Sequence, residues 1–164
     1  MNTGSFEDHR DIERLILLYP YFLDNARFEQ MGQLFAHADV YAGGTLAARH
    51  DPAAVADLWR SFVRIHSNGT PRTHHIATNV LIDFDDQNHA RAHSYILVVQ
   101  HTRNLPLAPI TAGDYLDRFA KIDGEWRFTE RHVGNDLFGD MTDHLLQPMQ
   151  TTHDLRPQRW PDFP

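Results

Sequence analysis

Apolar residues recur at helical spacing at the start of the chain. Ile12, Leu15, Ile16, Tyr19, Leu23 and Ala26 form the stripe of an amphipathic helix. Pro20 lies inside that stripe; a proline there removes a backbone donor and crowds the preceding turn, so a kink or local break is expected. Phe28, Met31, Leu34 and Phe35 mark a short second helix. Asp51-Pro52 is a helix start, a capping side chain followed by proline at the first helical position. Val55, Leu58, Trp59, Phe62 and Val63 then line one face of a third helix. Residues 39–42 read as a short strand that Gly43-Gly44 closes.

After Asn68-Gly69-Thr70-Pro71 the period changes from 3.6 to 2. Residues 72–84 and 89–102 read as long strands joined by the polar turn Asp85-Asp86-Gln87-Asn88. Pro106 and Pro109 punctuate a loop. Residues 111–122 and 125–133 read as two more strands, and Asp123-Gly124 between them is a strong hairpin signal. A short helix is expected near residues 143–149, and the proline-rich end, 156–164, reads as extended or loose. Helices followed by a run of antiparallel strands indicate an α+β fold, with the helices packed into the concave face of one curved sheet. The expected organisation is one domain over 1–164, with its core at about 8–140 and a C-terminal extension, 141–164.

Composition narrows the class. The chain has 164 residues, the length of a single domain, and its hydrophobic fraction of 41% suits an ordinary core. A formal net charge of -7 disfavours a nucleic-acid partner. There is no cysteine, which excludes disulfides and thiolate metal sites. Residues 1–14 are polar, without the apolar core of a signal peptide, and the apolar runs are too short to cross a bilayer. A cytoplasmic protein without a membrane partner is expected. Of the twelve histidines, His9, His37, His50, His89 and His153 lie in polar or terminal contexts and read as surface.

The candidate chemistry centres on Asp24 and His75. Asp24 follows an apolar stretch, where an unpaired buried carboxylate is costly. His75 lies in the 72–84 strand and can partner it; aspartate with histidine is a common way to make a base at neutral pH. Alternate strand residues share a face. If His75 points inward, so do Thr73, Ala77, Asn79 and Leu81, and His74 points away. Adjacent His74 and His75 are thereby excluded as ligands of one metal ion in a regular strand. His89 and His93 would stand roughly 13 Å apart, also too far for one ion. Small Ala77 leaves room for a ligand, and Asn79 adds a polar group. A structural Asp24–His75 contact and a functional pair are both compatible with this pattern.

Tyr19 and Asp24 are separated by about 140° on a straight helix. They share a cavity only if the helix is broadly buried or bent. Tyr41 and Tyr115 are further candidate hydroxyl donors, or plain packing. In the 89–102 strand either face can be the inner one: Ala92, Ser94, Ile96, Val98 and Gln100, or His93, Tyr95, Leu97, Val99 and His101. Arg118 and Arg131 can hold an anion, but pairing with Asp117 or Glu130 is the simpler expectation. The chain has no GxGxxG, Walker loop, GxSxG or HExxH motif.

Several of these residues together resemble the SnoaL-like branch of the nuclear transport factor 2-like superfamily, over roughly residues 8–140. They are Tyr19 and Asp24 at the end of the first helix, Leu34-Phe35-Ala36, Thr73-x-His75-x-x-x-Asn79, the run from Gly113 to Phe119, and Asp123-Gly124-x-Trp126-Arg127. The resemblance implies a cone-shaped, curved antiparallel β-sheet closed by N-terminal helices (a cystatin-like α+β barrel) with a deep, mostly apolar pocket. Within the superfamily the chain is similar to scytalone dehydratase, bile-acid 7α-dehydratase and hexachlorocyclohexane dehydrochlorinase. Those enzymes use an Asp-His pair for elimination without a metal or organic cofactor. Asp24 and His75 fall on the positions of that pair, and Tyr19 on the catalytic tyrosine of the bile-acid enzyme. Where scytalone dehydratase has a second histidine this chain has Gln100; near its pocket serine and asparagine stand Gly113 and Tyr115. These departures weaken the case for scytalone as substrate and leave the pair intact.

The reading is therefore a cofactor-independent lyase of dehydratase type, with no metal. His75, Asp24 and Tyr19 are its catalytic candidates; Asn79, Tyr41, Gln100 and Tyr115 are its substrate-binding candidates. The substrate expected is a small hydrophobic cyclic or polyketide-like molecule. The resemblance implies a homo-oligomer, a trimer or a dimer. Two alternatives stay open: a ketosteroid-isomerase-like enzyme with Asp24 as base, and a non-catalytic binding or assembly subunit.

Overall fold

The computed structural model describes residues 4–147. Helix α1 spans Phe6–Asp24 and begins with a reciprocal cap: the Ser5 hydroxyl accepts from the Asp8 backbone N–H at 3.1 Å, and the Asp8 carboxylate accepts from the Ser5 N–H at 3.0 Å. The helix runs through Pro20 to Asp24. The Asn25 amide then caps its end by donating to the Tyr21 carbonyl at 2.7 Å. Its stripe Ile12, Ile16, Tyr19 and Leu23 is at most 3% exposed, and each such side chain contributes about 1.5–3 kcal/mol by leaving water. Helix α2 (Phe28–Gln33) and helix α3 (Pro52–Phe62) complete the helical layer. Asp51 caps α3 by accepting from the Ala54 N–H at 3.0 Å.

Six strands form one curved sheet: β1 (Asp39–Ala42), β2 (Thr45–Arg49), β3 (Thr73–Phe84), β4 (His89–Gln100), β5 (Ala108–Ile122) and β6 (Glu125–Phe138), in the order β2-β1-β6-β5-β4-β3. All pairings are antiparallel except β1 with β6, which is parallel. Strand β2 has no counterpart in the sequence reading. It is a short edge strand, largely exposed, so it lacks the apolar alternation that marks a half-buried strand. Asp123 and Gly124 both take positive φ, 53° and 83°, the geometry of a two-residue hairpin turn between β5 and β6. The expected helix near 143–149 is absent where the chain is described: residues 142–144 form a turn, and Leu145 bridges to Val63. The expectation for 156–164 lies outside the described residues. Among the described residues no helix is long and apolar enough to cross a membrane.

The core lies between the helices and the concave face of the sheet, where Tyr19 of α1, Met31 of α2 and Val55 of α3 meet Ile96, Phe119 and Phe128. Of the sheet's register shifts, two bear most on which candidate residues face it. In β3, Thr78 pairs with Tyr95 and Leu81 with His93, so Asn79 and Val80 together oppose one residue of β4. Asn79 sits in the left-handed region at φ 52°, a conformation asparagine tolerates better than most residues. In β6, Phe119 pairs with Phe128 and Arg118 with Glu130, leaving Thr129 as the extra residue. Each bulge inverts the parity beyond it.

At Gly113 the β5 and β6 backbones come very close. A Cβ there would lie 1.9 Å from the Gly134 carbonyl oxygen and 2.6 Å from the Asn135 Cα. Gly113→Ala must separate two backbones rather than displace a side chain. We expect a loss of at least about 1–3 kcal/mol, read as a lowered urea midpoint; an unchanged midpoint would contradict this packing.

Candidate functional site

Asp24 is the last residue of α1 and reaches across to the start of β3. Its Oδ1 accepts from His75 Nδ1 at 2.6 Å and from the Thr73 hydroxyl at 2.7 Å; its Oδ2 accepts from the His75 backbone N–H at 2.8 Å. Burial acts to raise the Asp24 pKa, but the His75 ring and backbone, with Thr73, outweigh it and hold the carboxyl below its ordinary 3.8. A carboxylate so held can only accept, so Nδ1 of His75 carries a proton and the ring orientation is set. The side chain of His75 is 6% exposed and that of Asp24 16%.

The sign of the Asp24 shift gives a stability prediction. A carboxyl whose pKa is lower folded than unfolded adds stability above its ordinary value and loses it as pH falls through the folded one. Asp24→Asn should therefore show a shallower loss of stability below the ordinary 3.8 than the wild type. Urea titrations across that range check it; identical slopes would contradict it.

His75 also lines a cavity of about 260 Å³. Leu23, Leu58, Val63, Val98 and Val133 make its apolar wall; Tyr19, Tyr115, Asn135, Thr111, Trp59 and His144 bring polar atoms. Asp24 is not among the lining residues, so it stands behind the histidine ring. With Nδ1 engaged by Asp24, Nε2 is the nitrogen left to act on a ligand. Tyr19 and Tyr115 are buried edge to face, ring centroids 5.6 Å apart. Burial pushes both phenols above the ordinary 10.0; Tyr115 adds to the effect on Tyr19, and Arg131 opposes it in each. Both are thus neutral hydroxyls at neutral pH.

Beneath the tyrosines lies a fully buried ion pair. Arg131 donates to Asp117 through Nε at 2.7 Å and Nη2 at 2.6 Å, and its guanidinium lies 4.6 Å from the Tyr19 ring centroid and 4.5 Å from that of Tyr115. Arg131 is pulled inward by the Thr129 bulge. The ion-pair expectation holds for it, and Arg118 approaches Glu130 at 3.8 Å.

The remaining sequence candidates lie elsewhere. Asn79 is exposed, because the β3 bulge turns it outward and brings Val80 and Ile82 to the core instead. Tyr41 faces the outer side of the sheet, where it stacks on His132 at 4.3 Å. Gln100 is on the inner face and fully buried, which settles which face of β4 is inner. It does not line the cavity: its amide donates to the Pro71 carbonyl at 2.9 Å and holds the loop before β3. The polar cavity residues missed in the sequence are Thr111, Asn135, Trp59 and His144. Asn135 lies past residue 133, where the strand read from the sequence ends, while β6 runs on to Phe138. Trp59 was read only as helix-face packing. His144 lies in a turn without periodicity; its one signal was a histidine in a run ending Leu145-Leu146. Among the described residues no group of three or more His, Asp or Glu side chains is placed to hold a metal ion.

The fold is that of known proteins. A candidate scytalone dehydratase from Novosphingobium aromaticivorans superposes with a TM-score of 0.65 at 26% identity, covering 88% of this chain and 95% of that one. A protein of unknown function from Mycobacterium tuberculosis matches with a TM-score of 0.66 at 21% identity, covering 80% and 73%. The β subunit of a candidate aromatic-ring-hydroxylating dioxygenase, also from Novosphingobium aromaticivorans, matches with a TM-score of 0.59 at 20% identity, covering 90% and 94%. No curated protein matches significantly by sequence. The model of the SnoaL-like domain matches residues 4–132, and the chain belongs to that family.

Proposed function

We propose that the protein is a cofactor-independent lyase of dehydratase type, acting on a small apolar cyclic molecule that carries a carbonyl and a leaving hydroxyl. The observation that carries this reading is the histidine that lines the cavity with its far nitrogen held by a half-buried carboxylate. In the proposed reaction Nε2 of His75 takes a proton from the carbon beside the carbonyl, and the C–H electrons move onto the carbonyl oxygen as an enolate. Asp24 stabilises the resulting imidazolium and keeps the ring in place. A neutral phenol, Tyr19 or Tyr115, donates to the developing oxyanion. The enolate then re-forms the carbonyl, a carbon–carbon double bond forms, the C–O bond breaks, and the His75 proton leaves with the hydroxyl as water.

Two features favour this reading over its rivals. Asp24 lies behind His75 and off the cavity wall, which argues against an isomerase with Asp24 as base. The open cavity with convergent polar atoms argues for a small-molecule site over a filled assembly module. Its volume suits a molecule of two or three fused rings. The test is water loss from bicyclic β-hydroxy ketones, followed by the absorbance of the conjugated product. Turnover above the buffer rate is expected. Binding of such ketones without any water loss would overturn the lyase assignment and favour a binding role.

A further inference from the structure

The turn after β6 adds a second histidine to the cavity that the mechanism above leaves unused. His144 is 6% exposed and lines the cavity with His75. Its position is built. The Arg64 N–H donates to the His144 carbonyl at 2.8 Å, the His144 N–H donates to the Met141 carbonyl at 3.0 Å, and the Leu146 N–H donates to the Phe62 carbonyl at 2.8 Å. Asp143 beside it accepts from the Thr102 hydroxyl, and its carbonyl lies 3.1 Å from His66 Nε2. The turn is thus strapped to the end of α3 and the loop that follows. Yet Nδ1 of His144 is buried with no hydrogen-bond partner. A buried N–H without an acceptor is rarer than an acceptor without a donor, so the proton belongs on Nε2.

We propose that His144 is a second catalytic side chain, whose Nε2–H donates a hydrogen bond to the substrate oxygen that gains charge when His75 removes the proton. This rests on the lyase reading of the same cavity. The electrostatics agree with a neutral donor. Burial first, and then the nearby His75 and His66, push the His144 pKa down to about 4, with Asp24 opposing. A neutral imidazole adds no second cation beside His75 when that ring is protonated. It polarises the oxygen without competing for the proton that His75 must later return.

The test uses binding and turnover separately. β-Naphthol is an enol mimic of bicyclic size, and naphthalene is the same shape without the oxygen. The wild type should bind β-naphthol about tenfold more tightly than naphthalene, the worth of one well-made hydrogen bond. β-Naphthol, and not naphthalene, should shift the His144 ring ¹⁵N signals of the wild-type protein. His144→Phe should cut the preference, leaving what a tyrosine donor contributes, and His144→Gln, which keeps a donor, should lose less of it. With a bicyclic β-hydroxy ketone, His144→Phe should lower kcat by about 10²-fold with little change in KM. An equal preference for β-naphthol in wild type and His144→Phe, or no His144 shift on β-naphthol, overturns the proposal; so does no binding of either probe. Should His144→Phe not fold, the wild-type shift and His144→Gln decide it. No water loss by the wild type, beside an intact His144-dependent naphthol preference, would sink the lyase reading and leave the His144 contact standing.

Discussion

His75→Ala is expected to lower kcat for a bicyclic β-hydroxy ketone by about 10²- to 10⁴-fold, the range of a well-placed general base. KM should change little, because the imidazole adds little apolar area to a cavity walled by leucine and valine. Asp24→Asn should also fall steeply. An amide in place of the carboxylate can offer its N–H to Nδ1 and turn the ring into the wrong tautomer, and it cannot offset the imidazolium charge. The two residues act as one unit, so the double variant should be no worse than His75→Ala alone. Rates measured side by side on the three variants check this. Additive losses would mean that Asp24 does something other than serve His75.

Arg131→Met is expected to produce the largest stability effect, about 3–5 kcal/mol, because it leaves the Asp117 carboxylate buried without its partner. Both side chains of the pair are fully buried. Two of the rings stacked on the guanidinium are Tyr19 and Tyr115, so their placement should loosen as well. Adding Asp117→Leu to Arg131→Met removes the orphaned charge and should recover a substantial part of the loss. Urea denaturation of the single and double variants measures both. A wild-type midpoint for Arg131→Met would contradict the picture of an ion pair sealed beneath the cavity.

Much of the architecture was legible because its signals are local. The helical stripe of α1, the Asp51-Pro52 start of α3, the change of period before β3 and the Asp123-Gly124 turn each depend on a few adjacent residues. The contact between Asp24 and His75 spans 51 positions. It could be anticipated because a carboxylate after an apolar run and a histidine at an inward strand position each need a partner. Parity carried that inference only as far as the first bulge. Beyond Asn79 the faces of β3 exchange, and beyond Thr129 those of β6 exchange. That is why Asn79 was expected inside, and why Arg131 gave no sign of lying beneath two tyrosines; Asn135 was missed because β6 runs past residue 133, where the reading ended it. Bulges depend on cross-strand pairing, which no single-strand pattern encodes. His144 was invisible for a different reason. It enters the cavity from a turn fixed by hydrogen bonds to a loop some 80 residues earlier in the chain.

The central claim is that His75 removes a proton from carbon inside the cavity, and isotope exchange tests it before any leaving group matters. β-Tetralone and related bicyclic ketones, incubated in D₂O with the protein, can be followed by NMR for loss of the hydrogens beside the carbonyl. The wild type should exchange them faster than buffer, and His75→Ala should fall back toward the buffer rate. Equal exchange in the wild type and His75→Ala, whether fast or absent, would contradict it.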